Sequence, residues 1–180
     1  MQQYIAFLRG INVGGHTVKM EQLRAHFEAL SCENVETFIA SGNVIFAARS
    51  VDTARLEAKI EKRLADALGF EVATFIRRRD EVAAAASHAA FPEAAVANAG
   101  AFCVGFLKAA LNADQQAQLQ QFVTDIDAFH TQGRELYWLC RVRQSDSKFS
   151  NVLFERKLGL SATFRSITTV RKLAAKYSPG

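Results

Sequence analysis

Leu8-Arg9-Gly10-Ile11-Asn12-Val13-Gly14-Gly15 is the stretch of this chain best suited to seat a ligand. Three glycines after an apolar run can adopt left-handed dihedrals, turn amides inward and let a ligand approach the main chain. Arg9 and Lys19 would add positive charge, and Asn12 a directional hydrogen bond. Further along, Ser41-Gly42-Asn43 has the composition of a tight turn. This pattern points to a small anionic or phosphorylated ligand. The expected binding set is Arg9, Gly10, Asn12, Gly14, Gly15, Lys19, Ser41, Gly42 and Asn43.

The same stretch nearly matches a P-loop, with Gly10, Gly15 and then His16-Thr17. However, His16 stands where the phosphate-binding lysine belongs, and the helical pattern begins only near Met20. No apolar run ends in an aspartate that could support magnesium. The four histidines (His16, His26, His88, His130) lie at no ligand spacing to a cysteine or carboxylate, so no metal or cofactor is expected. The Gly-x-Ser-x-Gly elbow of serine hydrolases is missing. Cys32, Cys103 and Cys140 are far apart, an odd number, and read as buried thiols of a reducing cytoplasm. Asp125 and Asp127 read as a solvated strand edge.

Two further polar segments are secondary candidates for an anion. Ser147 and Lys148 precede a helix, where Ser147 is expected as cap, and a helix start favours anions. Arg165, Thr168 and Thr169 lie between the last strand and the last helix, with Thr168 expected as its cap. No nucleophile or general base can be assigned, so whether the protein is an enzyme stays open.

The 180 residues carry a net charge of +4, unevenly spread. Residues 1–97 hold 11 Lys/Arg against 12 Asp/Glu, residues 98–180 hold 11 against 6, and residues 134–180 hold 10 against 3. With Arg77-Arg78-Arg79, this basic C-terminal part makes nucleic-acid binding the alternative reading, and an enzyme using the glycine loop a third. Of the 14 phenylalanines, those in the first half's central-strand candidates, around Phe7 and Phe46, do not alternate as RNA-stacking rings would, and read as core. No apolar run approaches the roughly 18 residues of a membrane span. No signal-peptide layout opens the chain, so a cytoplasmic protein without membrane contact is expected. Oligomeric state cannot be read.

The elements that must position these residues follow from periodicity. Tyr4–Arg9 is strand-like, and Met20, Leu23, Phe27 and Leu30 give a helix over 20–30. Val35–Ile39 and Val44–Phe46 flank the Ala40-Ser41-Gly42-Asn43 turn. Asp52 can cap a helix with the stripe Leu56, Ile60, Leu64, Leu68, which Gly69 stops before a strand at Val72–Ile76. After a helical connector over 80–100 the order repeats. There is a strand at Phe102–Leu107, a helix capped by Asp114 that carries Leu119, Phe122 and Val123, and a hairpin turning at Thr131-Gln132-Gly133-Arg134. A helix to Leu158 stopped by Gly159, a strand at Thr163-Phe164 and a final helix through Ala175 complete it. Phe7-Leu8-Arg9 echoes Phe106-Leu107-Lys108, and Leu68-Gly69 echoes Leu158-Gly159.

The expected fold is α+β: two tandem ferredoxin-like (βαββαβ-type) halves, 1–79 and 101–180, with antiparallel sheets and an extra helix at the end of the second. In such a unit the loop after strand one, the turn between strands two and three and the loop before strand four share one end of the sheet. Arg9–Lys19, Ser41-Gly42-Asn43 and Gly69-Phe70 should therefore meet.

The segment Phe7–Phe46, through Arg9, Gly10, Asn12, Gly14, Gly15, Lys19, Met20, Leu23, Ser41, Gly42 and Asn43, resembles the uncharacterised, mostly bacterial domain of unknown function 1697 family. Ser147-Lys148 and the Thr163–Leu173 region also resemble family features. Members tend to read Thr-x-Arg-Asn-Trp-Asn-Thr where this chain reads Thr163-Phe164-Arg165-Ser166-Ile167-Thr168-Thr169, lacking both asparagines and the tryptophan. The resemblance implies a duplicated α+β fold and leaves the activity open.

Overall fold

The computed structural model of the chain describes residues 1–39, 42–49 and 52–177. The described elements are β1 (Gln2–Leu8), α1 (Met20–Glu28), β2 (Glu33–Thr37), β3 (Asn43–Ala48), α2 (Thr53–Leu68) and β4 (Thr74–Arg78), then two short helices, α3 (Arg79–Ser87) and α4 (Glu93–Ala97). They continue with β5 (Ala101–Leu107), α5 (Ala113–Gln120), β6 (Asp127–Gln132), β7 (Glu135–Cys140), α6 (Asn151–Leu158), β8 (Ala162–Ser166) and α7 (Ile167–Lys176). The architecture is mixed α+β. Two four-stranded antiparallel sheets, ordered β2-β3-β1-β4 and β6-β7-β5-β8, are each flanked by helices. Among the described residues, one compact unit comprises those of Met1–Val82 with Tyr177, the other Ala83–Lys176.

In the first unit the central strand β1 is withdrawn from solvent on both faces. Tyr4, Ala6 and Leu8 join Val44, Phe46 and Ile76 beneath Leu23 and Phe27 of α1 and Leu56, Ile60 and Leu64 of α2. Ile5, Phe7, Ile45 and Phe75 on the opposite face are also buried. The helix signals act as expected. The Asp52 carboxylate accepts from Arg55 N at 3.0 Å, and Gly69 ends α2 at φ +79°. The edge strand β4 does not show bare amides on that side. Glu57 and Glu61 of α2 accept from the backbone N–H of Ile76 (2.7 Å) and Thr74 (2.8 Å), which blunts an edge that could otherwise pair with another chain.

The second unit packs Cys103, Leu107, Leu136, Trp138, Phe149, Phe154 and Ala162 into one core, with Leu119 of α5 and Leu158 of α6. Three caps differ from expectation, each by a few residues. Asn112, not Asp114, caps α5, accepting from Gln115 N at 2.8 Å. Ser150, not Ser147, caps α6, accepting from Leu153 N at 3.1 Å. Ser166, not Thr168, opens α7, accepting from Thr169 N at 3.2 Å. α5 stops at Gln120, so Phe122 and Val123 lie beyond it.

Candidate functional site

The loop after β1 and the turn before β3 meet at one end of the first sheet. Leu8 N donates to Gly42 O at 2.9 Å, and Gly42, at φ +77°, presses against the loop. A Cβ at Gly42 would lie 2.7 Å from Ile11 Cγ2 and 3.2 Å from Leu8 Cβ. The loop before β4 arrives at the same end. Arg9 N donates to Ala73 O at 2.9 Å, and the His16 ring lies on Phe70 with centroids 3.9 Å apart and planes within 24°. The alternating chain direction of an antiparallel sheet produces this convergence. Of the expected turn, Ser41 and Ala40 lie outside the described residues.

Within the loop, Val13-Gly14-Gly15-His16 forms a tight turn closed by His16 N donating to Val13 O at 3.2 Å. Its two central residues sit at φ +63° and +85°, which glycine adopts without strain. A Cβ on Gly14 or Gly15 would touch nothing within 4 Å, so the space beside the turn is open. Asn12 stays exposed, but its Oδ1 accepts from Val18 N at 2.8 Å and closes the loop on itself. Asn43 is buried and donates from Nδ2 to Phe38 O at 3.0 Å, which fastens the hairpin. Lys19 is exposed at the start of α1, its backbone N–H held by Gln22 Oε1 at 3.3 Å. Arg9 is half-buried. The rim thus offers Arg9, Lys19, His16 and the open glycine turn, while Asn12 and Asn43 hold it in shape.

The secondary candidates divide between two places in the second unit. Ser147 Oγ donates to the Asp127 carboxylate (2.8 and 2.9 Å) and accepts from Phe149 N at 2.9 Å. Asp127 is 3% exposed and also accepts from the Trp138 indole Nε1 at 2.8 Å, so it belongs to the interior and not to a solvated edge. Ser147 lines an open cleft of about 650 Å³ with Gln144, Ser145, Phe149, Ser150 and Asn151, beside exposed Lys148. Arg165 is buried, and its Nη1 donates to Thr163 Oγ1 (2.8 Å) and Phe164 O (2.9 Å). Burial pulls its pKa down to about 10, so it stays cationic at neutral pH. Thr169 is bound instead to Ser166, Oγ to Oγ1 at 3.0 Å, and Thr168 is exposed on the first turn of α7.

The Arg77-Arg78-Arg79 triplet does not form a cationic patch. Arg77 is completely buried, as are Thr74, Phe75 and Ile76 before it, with Nη1 on Ile76 O at 3.0 Å. Arg78 faces Asp80 at 3.4 Å and Glu81 at 3.9 Å, while Arg79 donates to Gln3 Oε1 at 2.8 Å.

Sequence spacing missed one constellation. His88 and His130, 42 residues apart, bring their Nε2 atoms to 3.0 Å beside Tyr137. With centroids 5.1 Å apart and planes within 23°, the rings meet end to end in one N–H···N hydrogen bond. That bond needs one unprotonated nitrogen. Burial, then the His88 charge, lowers the His130 pKa. The folded chain therefore binds fewer protons than the unfolded one, whose histidines titrate near about 6.5. Stability is full above that pH and should fall as pH drops through it. His130→Gln should flatten this acid limb of the thermal midpoint, and an unchanged limb would remove the pair from the account. Among the described residues no group of three or more His, Cys, Asp or Glu could hold a metal ion.

No described helix is long and apolar enough to cross a membrane. The family model described as "Protein of unknown function (DUF1697)" matches residues 1–137. Among solved structures the chain is similar to the conserved bacterial protein SP0830 from Streptococcus pneumoniae, with 23% identity, 99% of each chain covered and a TM-score of 0.74, a likeness of fold. No curated protein matches it.

Proposed function

Because the chain belongs to the DUF1697 family of proteins of unknown function, we propose its role from geometry: it binds a small anionic or phosphorylated ligand at the rim formed by the glycine loop and the Gly42 turn. The observation that carries this reading is the seating of Gly42 on Leu8 and Ile11. It puts the open Gly14-Gly15 turn, Arg9 and Lys19 at one end of one sheet. Backbone amides in a glycine turn and two cationic side chains suit an oxyanion. Gly10, Asn12, Asn43 and Ser41 complete the proposed set, with Asn12 and Asn43 acting through the shape of the rim.

Lys19→Ala should weaken binding of inorganic phosphate or ribose 5-phosphate by roughly tenfold at low salt, equal to about 1.4 kcal/mol, and Arg9→Ala by at least as much. Isothermal titration calorimetry reads this directly, and a ligand that binds must raise the thermal midpoint of the wild type. Equal affinity in wild type and both variants would place the ligand elsewhere. The cleft at Ser147 and Lys148 is a second anion seat in this reading, and Arg165, Thr168 and Thr169 a weaker one, since Arg165 is engaged below the surface. Nucleic-acid binding is left with the exposed basic residues of the second unit, Arg141, Arg143 and Lys148 with those of α6 and α7.

Each unit is read as a ferredoxin-like βαββαβ half, and the chain as a duplication. The matching strand orders support this. So does register: Arg77 stands opposite Ile5 of β1 and Arg165 opposite Val104 of β5, each three residues before the leucine that ends its central strand. Both arginines are buried.

A further inference from the structure

We infer that the ligand of this rim is a nucleoside monophosphate, with its base stacked on His16; the inference rests on the anion-binding reading above and names the rest of the ligand. One face of the His16 imidazole is covered by Phe70 at a centroid distance of 3.9 Å, yet the residue is exposed. The exposed surface of the residue therefore lies away from Phe70, where a second ring can approach. Phe70 is half-buried and packs against the core of the first unit, so the ring beneath His16 is anchored. The His16 backbone is tied by its N–H to Val13 O, across the glycine turn. An aromatic platform backed by the core and fixed at its main chain loses little freedom when a second ring stacks on it.

The platform also stands beside the charge. Arg9 N is bonded to Ala73 O, in the same short loop that carries Phe70, and Lys19 lies three residues after His16. A bare phosphate would use the cations and leave the ring idle. A ligand with a planar heterocycle and a single phosphate uses both. Stacking of a base on an aromatic side chain is sequence-tolerant, since every base has a π-face. The platform therefore sets the class of ligand without choosing one base.

The test compares the full chain with adenosine 5′-monophosphate, ribose 5-phosphate and inorganic phosphate by calorimetry at low salt. Adenosine 5′-monophosphate should bind about tenfold or more tightly than ribose 5-phosphate. His16→Ala should erase that ratio, and His16→Trp should restore it. Because His16 is exposed, both variants should fold, which their unfolding midpoints report. If the nucleotide binds no better than ribose 5-phosphate, the stacking inference falls and the anion site stands. If none of the three binds, both fall. A single-stranded oligonucleotide binding far more tightly than the mononucleotide, with affinity dropping steeply with salt, would also overturn it in favour of nucleic acid.

Discussion

Gly42→Ala should cost the first unit about 3 kcal/mol and abolish ligand binding at the rim. The cost has two sources. An L side chain at φ +77° carries roughly 1–2 kcal/mol of left-handed strain. Its Cβ would also sit 2.7 Å from Ile11 Cγ2 and 3.2 Å from Leu8 Cβ, and such overpacking typically adds about 1–3 kcal/mol. Neither neighbour yields readily, because Leu8 and Ile11 are both buried. Chemical denaturation reads the loss. Ile11→Ala in the same background should return part of it, since that change removes the clashing methyl, and a double-mutant cycle would show a coupling of about 1 kcal/mol. A variant as stable as wild type would mean that turn and loop do not press together, and the proposed pocket would lose its basis.

The second large effect is expected at Asp127. Its carboxylate receives the Trp138 indole N–H and the Ser147 hydroxyl while only 3% exposed. Asp127→Ala strands the Trp138 indole N–H in the interior of the second unit and takes the acceptor from the half-buried Ser147 hydroxyl at the cleft. An unsatisfied buried group costs about 1–3 kcal/mol, so a loss of about 2 kcal/mol is expected. Trp138 is the single tryptophan of the chain, which makes its fluorescence a private probe of this unit. Asp127→Asn keeps an acceptor for the indole and should lose roughly half as much. If the alanine variant unfolds at the wild-type denaturant midpoint, the bonds to Asp127 contribute nothing net.

What could be read from sequence was what acts over one helical turn or one strand. The stripe Leu56, Ile60, Leu64, the Asp52 cap and the Gly69 stop are local signals, and all three act as expected in α2. Helix starts in the second unit were blurred because several candidate caps stand together: Asn112 with Asp114, Ser147 with Ser150, and Ser166 with Thr168. Only the backbone path selects among such neighbours. At the rim, the meeting of loop and turn was legible from strand alternation alone. The duties of Asn12 and Asn43 were not, because an amide that closes its own loop has the same sequence signature as one that awaits a ligand. Contacts that depend on distant pairing were silent. Asp127 finds Trp138 and Ser147, His88 finds His130, and His16 finds Phe70, each through the fold. The same holds for Arg77, buried in a strand whose two faces are both covered from Thr74 to Arg77.

The three cysteines are free and buried, and burial raises Cys32 and Cys103 to about 11 and pushes Cys140 upward as well. Disulfide exchange proceeds through the thiolate, so at neutral pH only about one molecule in ten thousand carries a Cys32 or Cys103 sulfur able to attack. A fold that hides its sulfur in this way gains indifference to redox surroundings. Its thiols should therefore stay reduced on storage in air, which a titration of free thiols in the unfolded chain would read, and its sheets hold without covalent staples.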